Sequence, residues 1–349
     1  MKRFRTVLLI PFFLFVAGAV FADASGITPL MKKRAVEFKK ANEKSQRLFI
    51  RLSWDSGMHV WNGKQGALAD RLQLLGATDV MLELDREKFF DGTKVSEIYA
   101  ARCRKLIGEL AKRKIKAWGQ VVNYDIFITE KHSLGWFRSE TKKAINFRLE
   151  ALSKFNAANP STGFSGVIIE ALPHLMDGNS MFTPKNMLYQ WDPKSYGKGL
   201  DNDVLMQRMF DSVANALAKN SIPVGFLTSA DYADKALQGQ LSVGKVRDFL
   251  KYGNFVILEC FSSKYQTIAR LASSELRSSV KPDSVFIGVY TDSKVYGSNA
   301  KKFGLNSRSW STFIKSLTSI NKQASSHKAY AGLYFDDYDG IEQIWDTTK

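Results

Sequence analysis

Cysteine is scarce in this 349-residue chain, with Cys103 and Cys260 the two present. One pair excludes a disulfide framework and reads as two buried, unpaired thiols. Histidine is almost as rare. His59, His132, His174 and His327 lie in four distant segments without ligand spacing, so no metal centre of the zinc or iron kind is expected. Asp336, Asp337 and Asp339 cluster but lack a recognised cation-loop pattern. Eight prolines among 349 residues exclude collagen-like and low-complexity classes.

Several motifs are missing as well. The first strand-like run ends in Ser53-Trp54-Asp55-Ser56-Gly57, which lacks the glycine spacing of a dinucleotide site, and no cofactor is expected. No nucleophile elbow follows a strand, since Gly163-Phe164-Ser165-Gly166 precedes one. Acidic charge is short, with 34 Asp+Glu against 50 Lys+Arg for a formal +16. The lysines are scattered, and no zinc-finger, helix-turn-helix or dense basic stripe appears, so nucleic acid is not expected as a partner. An excess of this size favours an anionic partner such as an acidic polysaccharide or an envelope surface.

Long apolar runs are also few. Lys2, Arg3 and Arg5 precede an apolar stretch from Val7 to Phe21, with Val20 and Ala22 at cleavage spacing. This pattern predicts a secretory signal peptide over residues 1–22 and a secreted or periplasmic protein. The run is about 15 residues, shorter than the roughly 20 that a spanning helix needs. No later stretch is apolar enough to span, so no transmembrane segment is expected once the signal is removed.

What the chain does have is a repeated theme. Short runs rich in Val, Ile, Leu, Phe and Tyr end in polar or acidic residues and give way to helical patterns. The runs are Arg47–Trp54, Asp79–Leu84, Ile115–Val122, Ser165–Glu170, Ile222–Leu227, Asn254–Glu259, Ser284–Tyr290 and Ala329–Phe335. Each gap can hold the crossover helix that a parallel pair requires. Helical periodicity fills the gaps over Lys94–Lys114, Glu140–Phe155, Asp203–Lys219 and Ser309–Ile320. Eight such units predict an α/β fold, a (β/α)8 TIM barrel over residues 47–349, led by a helical segment at 23–46.

A closed parallel barrel gathers the carboxyl ends of its strands at one mouth, where chemistry takes place. Acidic residues end nearly every run although the protein is basic. Glu170 follows Val167-Ile168-Ile169, and a carboxylate among apolar neighbours can hold its proton, as protonating a glycosidic oxygen requires. Glu259 closes Phe255-Val256-Ile257-Leu258 in the same way. Asp336 and Asp337 end the eighth run; alternation sends one into the mouth and the other outward. Glu170 is the expected general acid and Glu259 the base or nucleophile, with Asp337 as a third catalytic candidate. Asp55, Asp292, Asp336, Tyr290 and Asn123 are expected to support them.

Two long connections, Asn123–Arg138 and Ala171–Asn202, carry many aromatic residues. Trp54, Trp118, Trp136, His174, Tyr189 and Trp191 are candidate sugar contacts, because flat rings suit the apolar faces of sugars.

With these residues in place, the chain resembles the secreted (β/α)8 glycoside hydrolases. Gly163-Phe164-Ser165-Gly166-Val167-Ile168-Ile169-Glu170 is similar to the fourth-strand segment of chitinase-like and polygalactosaminidase-like barrels. In the chitinase-like pattern the final glutamate is the acid, which matches Glu170, while Ile168 and Ser165 stand where acids are expected. That departure argues against substrate-assisted chitin cleavage. In retaining barrels an acid/base glutamate follows strand four and a nucleophile follows strand seven. The seventh run ends Tyr290-Thr291-Asp292, which leaves the nucleophile open among Glu259, Asp292 and Asp337.

The expected function is cleavage of an extended, anionic polysaccharide by paired carboxylates. The alternatives are a non-catalytic glycan-binding envelope protein and a protein-binding envelope scaffold.

Overall fold

The computed structural model describes residues 26–53, 63–84, 89–91, 94–122, 134–171, 202–291, 304–305 and 309–346. The expected signal peptide and most of both long connections lie outside these residues.

Eight strands form one closed parallel barrel: β1 Arg47–Leu52, β2 Asp79–Glu83, β3 Lys116–Val122, β4 Gly166–Ala171, β5 Val224–Ser229, β6 Phe255–Glu259, β7 Val285–Val289 and β8 Tyr330–Phe335. Each strand pairs with its sequence neighbour, and β8 pairs back to β1 through Arg47↔Gly332, Leu48↔Leu333, Phe49↔Tyr334 and Ile50↔Phe335. A (β/α)8 barrel is therefore the fold.

The strands form because they are apolar on both faces. One set of side chains, including Ile50, Val80, Val167, Phe226, Val256 and Ile287, packs outward against the helices. The alternate set, Phe49, Met81, Trp118, Ile168, Leu227, Phe255, Ile257, Phe286, Ala331 and Tyr334, fills the barrel interior. Burying each of the larger side chains contributes roughly 1.5–3 kcal/mol.

Among the described residues, eight longer helices and two short ones follow the strands or lead them: α1 Pro29–Ala41, α2 Gln65–Leu75, α3 Glu97–Lys112, α4 Leu134–Ala158, α5 Asn202–Leu217, α6 Asp231–Leu237, α7 Val246–Phe249, α8 Tyr265–Ser278, α9 Trp310–Ala324 and α10 Tyr338–Asp346. Helix α4 begins inside the connection expected to run to Arg138, so residues 134–138 are helical. A two-stranded antiparallel ladder, Phe90–Asp91 with Lys94–Val95, precedes α3, where helical periodicity had extended to Lys94.

The leading helix α1 starts at a Thr28 cap, whose Oγ1 accepts from Met31 N at 3.2 Å, with Pro29 in the first turn. Its far end is tied down by Asn321, which donates to Ala41 O at 3.0 Å and accepts from the Tyr330 hydroxyl at 2.5 Å.

Closure of the barrel depends on Gly332. Its φ is +151°, and a Cβ there would lie 1.8 Å from Arg47 O. The β7–β8 register shifts between Tyr330 and Gly332, and the chain passes close to β1 where a side chain has no room.

Candidate active site

Side chains two residues apart on a strand point the same way, so the interior residues locate the mouth. Two positions beyond Phe49, Met81, Trp118, Ile168, Leu227, Ile257 and Tyr334 stand Arg51, Glu83, Gln120, Glu170, Ser229, Glu259 and Asp336. They form a polar ring over an apolar interior, at the carboxyl ends of the strands. Tyr290 belongs to it by the same count from Phe286 and Gly288; it is buried, with its ring 5.0 Å from Phe261.

Arg51 stands among the carboxyls. Its Nη2 lies 3.1 Å from Glu83 Oε1, with 24% and 30% of the two side chains exposed. Burial alone would lower the guanidinium's proton affinity, yet Glu83, Tyr334, Glu170 and Asp336 together push it above the ordinary arginine value. Gln120 Nε2 donates to Glu170 Oε2, joining β3 to β4.

Glu259 is held well above the usual carboxylate range by burial first, then by repulsion from Glu170 and Asp336; Arg51 opposes the shift. Burial also raises Asp336 to about 7, against a hydrogen bond from Thr291 N and the field of Arg51. The Thr291 hydroxyl lies 3.0 Å from Asp336 Oδ1 and 2.7 Å from the Asp337 carbonyl oxygen.

Glu170 and Glu259 therefore occupy one electrostatic environment with Asp336. The alternation that sequence left undecided is settled. Asp336 enters the ring, whereas Asp337 precedes α10 and its Oδ2 accepts from Gly340 N at 3.1 Å. That is the geometry of a helix N-cap.

Trp118 lies deeper in the barrel than the polar ring. It packs inside the barrel, 4.8 Å from Phe255 and 6.1 Å from Phe49 between ring centroids. Its Nε1 donates to Asp79 Oδ1 at 2.9 Å, and Arg47 holds the same carboxylate through Nε and Nη2 at 2.9 and 2.6 Å. The guanidinium stacks 5.0–5.6 Å from the rings of Phe49, Phe255 and Phe286. Trp118 thus belongs to a floor near the amino ends of the strands, below the polar ring.

Trp54, Asp55, Asn123, His174, Tyr189, Trp191 and Asp292 lie outside the described residues, as does the side chain of Trp136. Among the described residues, no cluster of His, Cys, Asp and Glu could hold a metal ion.

Arg51, Gln120 and Tyr334 stand inside their runs and not at the polar ends that mark the other candidates. Counting in twos from the interior apolar residues finds them. Among the described residues, Arg51 Nε, Gln120 Oε1 and Tyr334 Oη are buried without a hydrogen-bond partner. A donor, an acceptor and a hydroxyl facing one mouth can engage the hydroxyls of a polar ligand.

Neither a family model nor a curated protein matches the sequence. Solved structures do match in shape. The exo-β-1,4-mannosidase Op5Man5 from Opitutaceae bacterium strain TAV5 superposes with a TM-score of 0.52 at 8% identity, covering 87% of this chain and 55% of that one. The likeness is one of fold, a closed (β/α)8 barrel. The PgaB (BpsB) glycoside hydrolase domain from Bordetella bronchiseptica has a TM-score of 0.48 at 12% identity, covering 86% of this chain and 96% of that domain. The family 5 glycoside hydrolase PbGH5A from Prevotella bryantii B14 gives 0.48 at 14%, with coverages of 87% and 93%.

Proposed function

We propose that this barrel is an exported glycoside hydrolase acting on an extended polysaccharide. The observation that carries the reading is the coupled carboxyl pair, Glu170 on β4 and Glu259 on β6, at the mouth of a glycoside-hydrolase-like barrel.

The surroundings of the two groups favour roles opposite to those expected from sequence. Burial keeps the proton on Glu259, which suits it to protonate the glycosidic oxygen as the C–O bond breaks. Glu170 accepts from the Gln120 amide, which orients its carboxyl and suits it as base or nucleophile. Water then supplies the hydroxyl at the anomeric carbon; its proton goes to Glu259 when Glu170 is the nucleophile and to Glu170 when Glu170 is the base. Arg51 limits the repulsion among the carboxyls. Asp336 tunes Glu259 through space.

Four carboxyls around one guanidinium disfavour an anionic ring at the point of cleavage. The reacting unit in this proposal is therefore uncharged, and the lysine-rich exterior meets any anionic groups further along the chain. Export rests on the leader-like residues 1–22.

The test is release of reducing ends from a panel of neutral and acidic polysaccharides by the protein and its Glu259→Gln and Glu170→Gln variants. Each substitution is expected to lower release by at least ~10²-fold with the thermal transition retained. Undiminished release by both variants refutes the mechanism. Tight glycan binding by the unaltered protein without release would make it a binding module.

A further inference from the structure

Helix α1 buries one face and leaves the opposite one almost uniformly cationic. Met31, Ala35, Phe38 and Ala41 are buried. Phe38 packs with ring centroids 5.4 Å from Phe335, 6.3 Å from Phe313 and 6.5 Å from Trp310. Trp345 Nε1 donates to Met31 O at 2.8 Å.

The helix's only acid and its only arginine both turn toward the barrel. Glu37 Oε2 accepts from Trp310 Nε1 at 2.6 Å. Arg34 Nη1 donates to Ile344 O and Trp345 O at 2.9 and 3.1 Å, and its guanidinium lies 5.2 Å from the Trp310 ring centroid.

The outward residues are Lys32, Lys33, Val36, Lys39 and Lys40, all exposed. At 100° per residue they fall within about 120° of the helix circumference. Val36, 68% exposed, sits at the centre of that arc.

We propose that this face of α1 docks on an anionic membrane surface, with Val36 entering the headgroup layer between the lysines. Two observations choose that occupant. The first is charge complementarity, since lysines that flank an apolar residue on one helix face match phosphate headgroups. The second is the chain that leads into the helix. Val7–Phe21 is apolar, and residues 22–28 separate it from Pro29. Seven residues span at most about 25 Å, so until the expected leader is removed α1 is held close to any bilayer that the apolar run enters. The proposal is independent of the barrel's chemistry.

The experiment is flotation of the full chain with vesicles of phosphatidylcholine alone and of phosphatidylcholine with phosphatidylglycerol. The apolar run contributes to both, so the ratio of the two partition coefficients isolates the charge. Each lysine near an anionic surface adds about fivefold, so the four together are expected to give a preference of roughly six-hundredfold at low salt. The K32Q/K33Q/K39Q/K40Q variant should lose most of it. K32Q/K33Q and K39Q/K40Q should each lose part, which covers failure of the fourfold variant to fold. Substituting four exposed lysines elsewhere, Lys105, Lys112, Lys219 and Lys251, should leave it unchanged.

Equal loss in that control, or full preference in the α1 variant, overturns the proposal. So does an α1 face that binds a soluble acidic polysaccharide with no preference between the vesicles.

Discussion

Replacing Arg51 by methionine tests the electrostatics of the mouth without needing a substrate. Arg51 meets Glu83 at 3.1 Å and shares its field with Glu170, Asp336 and Tyr334. Unit charges about 4 Å apart interact by about 4 kcal/mol at an effective dielectric of 20. The cost of desolvating both groups and their partial exposure reduce this to a net ~1–3 kcal/mol.

The loss must depend on pH. Arg51 opposes the upward shifts of Glu259 and Asp336, so its removal raises both further. The folded state then binds protons that the unfolded state has released, and stability falls more steeply as pH rises. At about pH 8 the variant should be destabilised by the full ~1–3 kcal/mol. At about pH 2.5, below the unfolded carboxylate values near 4, the carboxyls are largely protonated in both states and the difference should shrink toward zero. Urea unfolding followed by circular dichroism at the two pH values measures it. Equal destabilisation at both would mean that Arg51 acts by packing, and would refute the charge argument.

Other predictions concern the scaffold. Glu275 on α8 is buried with Oε1 accepting from Ala233 N at 3.3 Å, and burial raises it to about 8. Stability therefore declines between the ordinary glutamate value and pH 8, and Glu275→Gln should be more stable than the natural chain above that window by roughly 2–4 kcal/mol. Matched denaturation curves at low and high pH check the sign, and a gain at low pH only contradicts it. Gly332→Ala should cost well over ~3 kcal/mol or abolish folding, as read by soluble yield and melting, because its Cβ collides with Arg47 O. Trp118→Phe should lose ~1–3 kcal/mol with the Asp79 contact while leaving sugar KM unchanged; a raised KM would restore Trp118 as a substrate contact.

Much of the barrel was readable in the residues. Runs such as Asp79–Leu84 and Asn254–Glu259 differ from β2 and β6 by a single residue at one end, because buried parallel strands are apolar on both faces and stand out against basic helices. The same continuity hides which face is which. A run with no polar alternation does not say whether Trp118 looks to the mouth or to the floor, nor whether Asp336 or Asp337 turns inward. Those directions depend on where the ring closes, and closure involves residues such as Arg47 and Gly332 that are distant in sequence. Glu170 and Glu259 were legible because each ends an apolar run. Arg51 and Gln120 were not, since a single polar residue inside a strand carries no such boundary.

The seam between β1 and β8 has a consequence for synthesis. Arg47 cannot find Gly332 until nearly the whole described chain has left the ribosome, so the nascent polypeptide stays open-ended through most of its production. Until β8 arrives, β1 keeps one edge without its parallel partner, and the last strand made completes the circle.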